Sequence, residues 1–166
     1  PCRIGEDVLS LTRDPSADSG AERLLQGGLY DGGNSIRFEF DGTPYDAAWV
    51  KEPFREFGLY LPSMVRIVVF EDGHEYEALN GKGSIHFVDK DALPQLWIEP
   101  DLKRYADYLG SEYRGDNRDI RYDYFEYAYD DEHRAYIAIR YSLESGGKLR
   151  PLLLATASTV RYAPER

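Results

Sequence analysis

Residues 65–88 read VRIVVFEDGHEYEALNGKGSIHFV and contain the clearest fold signal in the chain. Asp72-Gly73 and Asn80-Gly81 divide this stretch into three apolar or alternating segments. Both dipeptides favour the tight turns that join antiparallel strands, because Gly and Asn adopt positive φ angles at little cost. We therefore predict a meander of three antiparallel strands, at residues 65–70, 75–79 and 84–88.

The same two-residue period continues on both sides of this meander. Ile36, Phe38 and Phe40 alternate with polar residues, and Asp41-Gly42 supplies a further turn before the next short strand. Later segments also alternate, and they are separated by polar or glycine-rich turns. Pro151 lies in the last of them, and it either places that strand at a sheet edge or marks its first residues. These further strands are predicted at residues 36–40, 45–50, 120–129, 134–143 and 149–162.

One segment has a helical period instead. Asp101 can open a helix there and Gly110 can close it, and the apolar residues between them recur every three or four positions. We predict an α+β fold that is mainly antiparallel β, as a meander or sandwich-like sheet, with one short helix near residues 101–109. Residues 1–34 are rich in turn-forming residues and are expected to be a loosely structured lead-in. Residues 35–166 are expected to form a single β-rich domain.

The charge balance constrains the class of partner. The chain of 166 residues is 42% hydrophobic and 30% charged, which is typical of a folded domain, and its formal net charge is -10. A nucleic-acid backbone or an anionic membrane surface attracts basic patches, so neither is expected as the main partner. A basic protein would be attracted instead. Alternatively, the charge serves only to keep the protein soluble.

Cys2 is the only cysteine in the sequence, so no internal disulfide can form. A cysteine this close to the N-terminus is where a bacterial lipoprotein carries its lipid, and we predict Cys2 as a lipid anchor. Pro1 departs from the small residue that usually precedes such a cysteine, so an incidental thiol is the alternative. The longest apolar runs, 67–70 and 152–155, are far shorter than a membrane span.

No pattern of residues in the sequence indicates catalysis or a cofactor. His74, His86 and His133 are scattered, and a metal site formed by the first two with a nearby glutamate would be unspecific. The acidic run 130–132 lacks the alternating ligands of a calcium loop. We therefore assign no catalytic residue, metal ligand or cofactor, and expect a protein that is not an enzyme.

Tyrosine is the unusual feature of the composition. The chain has 14 tyrosines, nine of which lie between Tyr105 and Tyr141, and the predicted strand 120–129 carries aromatic residues on both faces. Tyrosine is over-used at protein interfaces, because a large ring is ordered at low entropic cost. We expect Tyr127 and Tyr129 on the exposed face; the alternative is a two-sheet sandwich that buries both faces. The predicted partner-binding residues are Tyr122, Tyr124, Tyr127, Tyr129, Asp130, Asp131 and Glu132.

In overall character the chain resembles the small periplasmic immunity proteins that bacteria carry against type VI secretion effectors. The shared features are the early lone Cys2, a compact β-rich body, an acidic charge and no recognisable active site. The resemblance implies a periplasmic protein, tethered to the membrane only through Cys2, that binds a cognate toxin and blocks its active site without a cofactor.

Two other functional classes stay open at this point. One is an envelope protein that holds a lipid or sugar in a β-rich cavity, with Trp49 and Trp97 as candidate wall residues. The other is an enzyme of an unfamiliar type. A deep apolar cavity in the structure would favour the first of these over a protein-binding function.

Overall fold

The computed structural model describes residues 22–78 and 81–164. Ten strands and one α-helix are assigned in these residues, together with short 3-10 helices at Lys90–Ala92 and Pro100–Leu102. Every pair of neighbouring strands is antiparallel. The predicted fold class, mainly antiparallel β with a single short α-helix, is confirmed. In chain order the elements are β1 (Ser35–Phe40), β2 (Thr43–Lys51), β3 (Phe57–Pro62), β4 (Val65–Phe70), β5 (Gly73–Ala78), β6 (Gly83–Val88), β7 (Tyr108–Arg114), β8 (Ile120–Ala128), β9 (Arg134–Ser142), α1 (Gly146–Ala157) and β10 (Arg161–Tyr162).

The strands form two sheets. A four-stranded sheet has the order β1-β2-β3-β10, and a six-stranded sheet has the order β4-β5-β6-β9-β8-β7. The chain passes from the first sheet to the second between β3 and β4. It returns after α1 to add β10 beside β3.

The helix α1 packs on one face of the six-stranded sheet, which we call the inner face. A side chain at Gly83 of β6 would collide with Leu149 and Leu153 of α1, so the two elements approach closely there. The opposite face of the six-stranded sheet is called the outer face. The main apolar core lies between the inner face, α1 and the four-stranded sheet, and includes Phe57, Leu59, Val65, Tyr76, Ile85, Phe125, Ile137, Ile139, Leu153 and Val160.

The predicted meander over 65–88 is confirmed as β4, β5 and β6. Val65 pairs with Ala78, and Glu75 pairs with His86, so the three strands are consecutive and antiparallel. The first turn consists of residues 71 and 72, and Gly73, with φ +150°, is the first residue of β5. Gly81 of the second turn has φ +72°, and Asn80 lies outside the described residues.

The first hairpin of the four-stranded sheet also follows the prediction. Phe40 pairs with Thr43, and only Asp41 and Gly42 connect the two strands. Both connecting residues have positive φ angles, of 54° and 76°, as the tightest hairpin turns require.

The predicted helix near residues 101–109 is wrong. This segment contains only the 3-10 helix Pro100–Leu102, and β7 already begins at Tyr108. The apolar residues there anchor an irregular segment. Leu102 is fully buried, and the Tyr105 ring packs edge-on against Phe125 at 6.2 Å. Tertiary contacts therefore account for the spacing that the sequence analysis interpreted as a helical period.

The predicted strand 149–162 is wrong for most of its length, because α1 occupies residues 146–157 and only Arg161–Tyr162 is a strand. Pro151 lies within α1 rather than at a sheet edge. The buried residues of the helix recur at helical spacing, so a run of leucines that suits a buried strand also supplies a helical face. These buried residues are Leu149, Leu152, Leu153, Thr156 and Ala157.

The described part of the predicted lead-in, residues 22–34, contains no helix or strand but contacts the folded body. Leu24 and Leu25 are buried in the core, and their backbone N–H groups donate to the Asp107 carboxylate at 3.0 and 2.8 Å. Among the described residues, no helix is long and apolar enough to cross a membrane.

Candidate functional site

Strand β8 presents different chemistry on its two faces. Arg121, Asp123, Phe125 and Tyr127 point to the inner face, where they pair with inner-face residues of β9. The residues between them point to the outer face, so the alternation along one strand separates a buried set from a surface set. The outer-face set of β8 is Ile120, Tyr122, Tyr124 and Glu126.

The inner-face polar residues form a closed hydrogen-bond network around Asp123, which is fully buried. One carboxylate oxygen accepts from the Ser111 hydroxyl at 2.5 Å and from Arg121 Nε at 2.7 Å. The other accepts from the Tyr141 hydroxyl at 2.7 Å. Burial raises the pKa of Tyr141, and the neighbouring Asp123 carboxylate raises it further.

Arg121 extends this network towards the segment before β7. Its guanidinium donates to Asp101 at 3.0 Å, and Asp101 also accepts from Arg150 of α1 at 2.5 Å. Burial alone would lower the pKa of Arg121, but the Asp123 carboxylate raises it above its usual range. Because these side chains already bond to one another, the network serves the fold rather than a ligand.

The outer face carries a tyrosine and carboxylate layer that begins on β7 and β8. Tyr124 is 3% exposed, and its hydroxyl donates to Glu112 at 2.8 Å. Tyr122 is half-buried beside it, with ring centroids 6.3 Å apart. The Arg114 guanidinium lies 4.5 Å from the Tyr122 ring and 2.7 Å from Glu112. Burial raises the pKa of Tyr124, and its hydrogen bond to Glu112 raises it further.

The layer continues across β9. The Tyr136 hydroxyl donates to Glu126 at 2.8 Å, and Arg134 donates to the same carboxylate at 3.1 Å. Arg140 donates to the Ser84 hydroxyl at 3.0 Å and lies 4.0 Å from Glu77. Neither α1 nor the four-stranded sheet packs on this face, so these side chains form its surface.

His86 of β6 lies next to the tyrosines of the outer face. Its ring packs edge-on against Tyr122 at 6.3 Å, and its Nδ1 atom is 4.0 Å from Glu75. Burial, and to a smaller extent the nearby Arg140, lowers the pKa of His86 from 6.5 to about 4. The histidine is therefore uncharged at neutral pH. Among the described residues, Nδ1 of His86 has no hydrogen-bond partner.

The acidic run forms the turn between β8 and β9 and is internally ordered. Asp130 accepts from the backbone N–H groups of Glu132 and His133 at 2.9 and 2.8 Å, and its carboxylate lies 2.8 Å from His133 Nδ1. Slight desolvation acts to raise the pKa of Asp130, but these hydrogen bonds lower it overall. The side chain of Asp131 is fully exposed, so the turn presents its negative charge to solvent.

No family model matches this chain, and no significant match to a curated protein or a solved structure was found.

The structure places the predicted partner-binding residues on different surfaces. Tyr122 and Tyr124 lie on the outer face, whereas Tyr127 lies on the inner face. The expectation that Tyr127 is exposed is wrong. It is 3% exposed, its ring packs edge-on against Phe57 at 5.8 Å, and its hydroxyl donates to the carbonyl of Gly27. Burial raises the pKa of Tyr127 to about 12.

The remaining predicted residues lie at the end of the hairpin. Tyr129 is 39% exposed, as expected, but one side of its ring lies 4.5 Å from the Tyr162 ring. Asp130, Asp131 and Glu132 form the exposed turn. The predicted anchor Cys2 lies outside the described residues.

Sequence reasoning missed the contribution of the strands beside β8. Tyr136 and Arg140 alternate with Ala135, Ile137 and Ile139 along β9, and this period already separates a polar face from an apolar one. That alternation could have identified Tyr136 and Arg140 as residues of the same polar face as Tyr122. The contributions of Glu112 and His86 depend on strand order, which the sequence pattern did not supply.

A cavity beside α1 is relevant to the alternative that the protein holds a lipid or sugar. An open cavity of about 490 Å³ lies between α1 and the segment before β7, with Leu24, Tyr105 and Leu154 in its wall. Both charged side chains in that wall are arginines, Arg104 and Arg150.

The two tryptophans that were candidate wall residues do not line the cavity: Trp49 stacks on Tyr30 at 3.8 Å, and Trp97 is 51% exposed. Within residues 22–78 and 81–164, no group of three or more His, Cys, Asp and Glu side chains is placed to hold a metal ion.

Proposed function

We propose that this protein is a non-catalytic binding module whose outer face docks a protein partner. The observation that carries the proposal is the tyrosine and carboxylate layer on the outer face, which neither α1 nor the other sheet covers. The Tyr136 hydroxyl is held by Glu126, and the Tyr122 ring is held by Tyr124 and Arg114, so both side chains are pre-ordered and binding costs little side-chain entropy. Tyr122 and Tyr136 are the expected anchors, since both are half-buried and stand on adjacent strands.

The arginines of the layer support a protein partner over an apolar ligand. Arg114 lies over the Tyr122 ring, and Arg140 is held between Ser84 and Glu77. Tyrosine and arginine are the residue types most enriched at the energetic centres of protein interfaces. A partner that offers hydroxyl or carbonyl oxygens would accept further hydrogen bonds from these arginines.

The acidic turn supplies the electrostatic part of the proposal. Asp130, Asp131 and Glu132 project at the end of β8, which also carries Tyr122, and the chain has a net charge of -10. A basic partner would therefore be guided towards this end of the hairpin, and its association would slow as salt increases.

More specifically, we propose that the protein is an immunity protein that neutralises a cognate bacterial toxin in the periplasm, with Cys2 as a membrane tether. The lone cysteine, the small β-rich body and the acidic charge support it. In this form the basic partner is the toxin. The surface around Tyr122 and Tyr136 would block the active site of that toxin.

The test has two steps. The full chain is used to capture proteins from a lysate of its native host, and each captured protein is then made separately and titrated against wild type and a Tyr122→Ala/Tyr136→Ala variant. A cognate toxin should lose at least tenfold in affinity for the variant, and co-expression with wild type alone should protect cells from it. Tyr45→Ala, a half-buried tyrosine on β2 of the other sheet, is the matched control. Equal binding by all three proteins would contradict the proposed surface.

The cavity beside α1 supports a second candidate function, the holding of a small amphipathic ligand. Arg104, which lies outside the Asp123 network, suits the carboxylate of a fatty acid, and the apolar wall suits its chain. Calorimetric titration with dodecanoate tests this directly. An Ala155→Trp variant, which fills the cavity, should abolish binding, whereas Leu143→Trp on the surface should leave it unchanged. No heat of binding to wild type would remove this candidate.

A further inference from the structure

The two edges of the six-stranded sheet are protected differently. At the β7 edge, the backbone of Trp97 exchanges two hydrogen bonds with Ser111, at 2.8 and 2.6 Å, so a chain segment covers that strand. At the opposite edge, β4 has β5 on one side and no neighbouring strand on the other among the described residues. Within residues 22–78 and 81–164, the backbone groups on the side of β4 away from β5 therefore face no strand and are available for pairing.

The β4 edge is also apolar. Ile67 is 40% exposed, Val69 is 72% exposed and Phe70 is 52% exposed, within a strand of six residues. Phe54, 66% exposed, belongs to the loop between β2 and β3, and Glu52 of the same loop contacts the start of β5 at Gly73. Soluble monomers usually protect such an edge with charges, proline or a covering segment, since an apolar edge pairs readily with another strand.

The charges that flank the strand indicate which partner fits. Arg66 lies near the start of β4, donates to Glu77 of β5 at 2.8 Å and keeps 57% of its side chain exposed, and the acidic residues Glu71 and Asp72 follow the last residue of β4. Antiparallel pairing brings the start of one strand next to the end of the other. A second copy of β4 would therefore place its acidic end beside Arg66, and its own Arg66 beside Glu71 and Asp72.

We propose that this protein forms a two-fold symmetric dimer in which β4 pairs antiparallel with β4 of a second copy, making one continuous sheet through both molecules. Symmetry restricts the register, because directly opposed residues of an antiparallel pair must point to the same face. With Val68 on the two-fold axis, Ile67 lies opposite Val69 of the second copy, and Arg66 lies opposite its Phe70. This arrangement brings the apolar side chains of the two strands into contact and adds acidic residues of the second copy near Arg66. It does not depend on the proposed function of the outer face.

Analytical ultracentrifugation of the full chain in reducing buffer, which prevents a disulfide through Cys2, tests the proposal. The mass should rise from 19.0 kDa towards twice that value as concentration increases, over a range of about 1 µM to 1 mM. Val69→Lys should weaken dimerisation at least tenfold, because it replaces the contact of Val69 with Ile67 of the second copy by a lysine, and a lysine on an edge strand opposes pairing. The matched control is Leu143→Lys, which places the same charge at another exposed apolar position, 47% exposed in wild type.

Hydrogen exchange at the amides of β4 provides the second measurement. Exchange of the Ile67 and Val69 amides should slow as wild type is concentrated, and it should not slow in Val69→Lys. A wild type that stays monomeric up to the highest concentration would overturn the proposal. A dimer that survives Val69→Lys, or that forms without protection of β4, would also overturn it.

Discussion

The two faces of β8 illustrate how one strand can serve both stability and recognition. On the inner face, Asp123 receives three hydrogen bonds and is fully buried, so its oxygens are satisfied within the protein. On the outer face, Tyr122 and Glu126 are also hydrogen-bonded or stacked with neighbours but keep part of their surface exposed. Neighbouring residues of β8 therefore have different roles: the inner-face residue stabilises the fold, and the outer-face residues are available to a partner. The degree of burial, rather than the residue type, distinguishes the two roles.

The largest effect is expected when the inner-face network is broken. Asp123→Asn leaves the buried Arg121 guanidinium without its closest anionic partner, which typically costs about 3–5 kcal/mol of unfolding free energy. The variant should show this loss in urea denaturation. Glu126→Gln is the outer-face counterpart, and the loss there should stay below about 1 kcal/mol, since that carboxylate is partly solvated. Similar losses for the two variants would contradict the distinction between the faces.

A smaller effect is expected from pH, through His86. The pKa of His86 is about 4 in the fold, mainly because of burial, against 6.5 for an ordinary histidine. A lowered pKa means that the unfolded chain binds the proton more tightly, so stability is complete above pH 6.5 and is lost as pH falls towards 4. The loss contributed by His86 should amount to about 2–3 kcal/mol at pH 4.

The contribution of His86 can be separated from that of the carboxylates by a difference measurement. Unfolding free energies of wild type and His86→Gln are compared at several pH values between 4 and 7. The gap between the two proteins should change steadily over this interval in favour of the variant at low pH. A constant gap would mean that His86 is protonated at the same pH in the folded and unfolded chains.

A matched pair of hydroxyl deletions provides a finer comparison of the faces. Tyr141→Phe removes a donor from the buried Asp123, and Tyr124→Phe removes a donor from Glu112 on the outer face. Removing one of the three hydrogen bonds to the fully buried Asp123 should cost about 2–3 kcal/mol. Glu112 is 13% exposed and stays paired with Arg114, so water can replace the lost hydroxyl and the cost should be about 1 kcal/mol. Thermal or urea unfolding of the two variants measures the difference. An equal or larger loss for Tyr124→Phe would show that the outer face is as closed as the inner one.

The smallest effect is expected at the acidic turn. Asp131→Lys changes a fully exposed side chain, so the stability of the domain should change by less than about 0.5 kcal/mol. The substitution should slow association with a basic partner at low salt, and this difference in rate should diminish as salt rises. Stopped-flow association rates at two ionic strengths measure it. A rate that is unaffected at low salt would exclude this turn from the encounter.

Local turn chemistry explains why much of the fold could be predicted from the sequence. Asp41-Gly42 and the turns around Gly73 and Gly81 specify hairpins through a few neighbouring residues, so no distant contact is needed to recognise them. The C-terminal helix was mistaken for a strand, because its leucine run suits either structure. Packing against β6 and β9 decides between the two, and that packing depends on strand order.

The candidate site shows the same limit. Alternation along β8 separates two sets of residues, but it does not say which set faces α1. The helix begins 18 positions after the end of β8, so the sequence near β8 contains no sign of it. Tyr127 was therefore expected at the surface although it packs on Phe57. Asp123 could not be recognised as buried from the strand alone, because Ser111 and Tyr141, which bond to it, come from two other strands.

The dissociation constant of the complex with the captured partner tests the central claim most directly, when it is measured for wild type, Tyr122→Ala/Tyr136→Ala and Tyr45→Ala under identical conditions. Truncation of an interface anchor typically costs about 2 kcal/mol or more. The account predicts that the outer-face variant binds at least tenfold more weakly, that Tyr45→Ala binds as wild type does, and that all three proteins are folded by circular dichroism. An outer-face variant that is folded and binds as tightly as wild type would contradict the account.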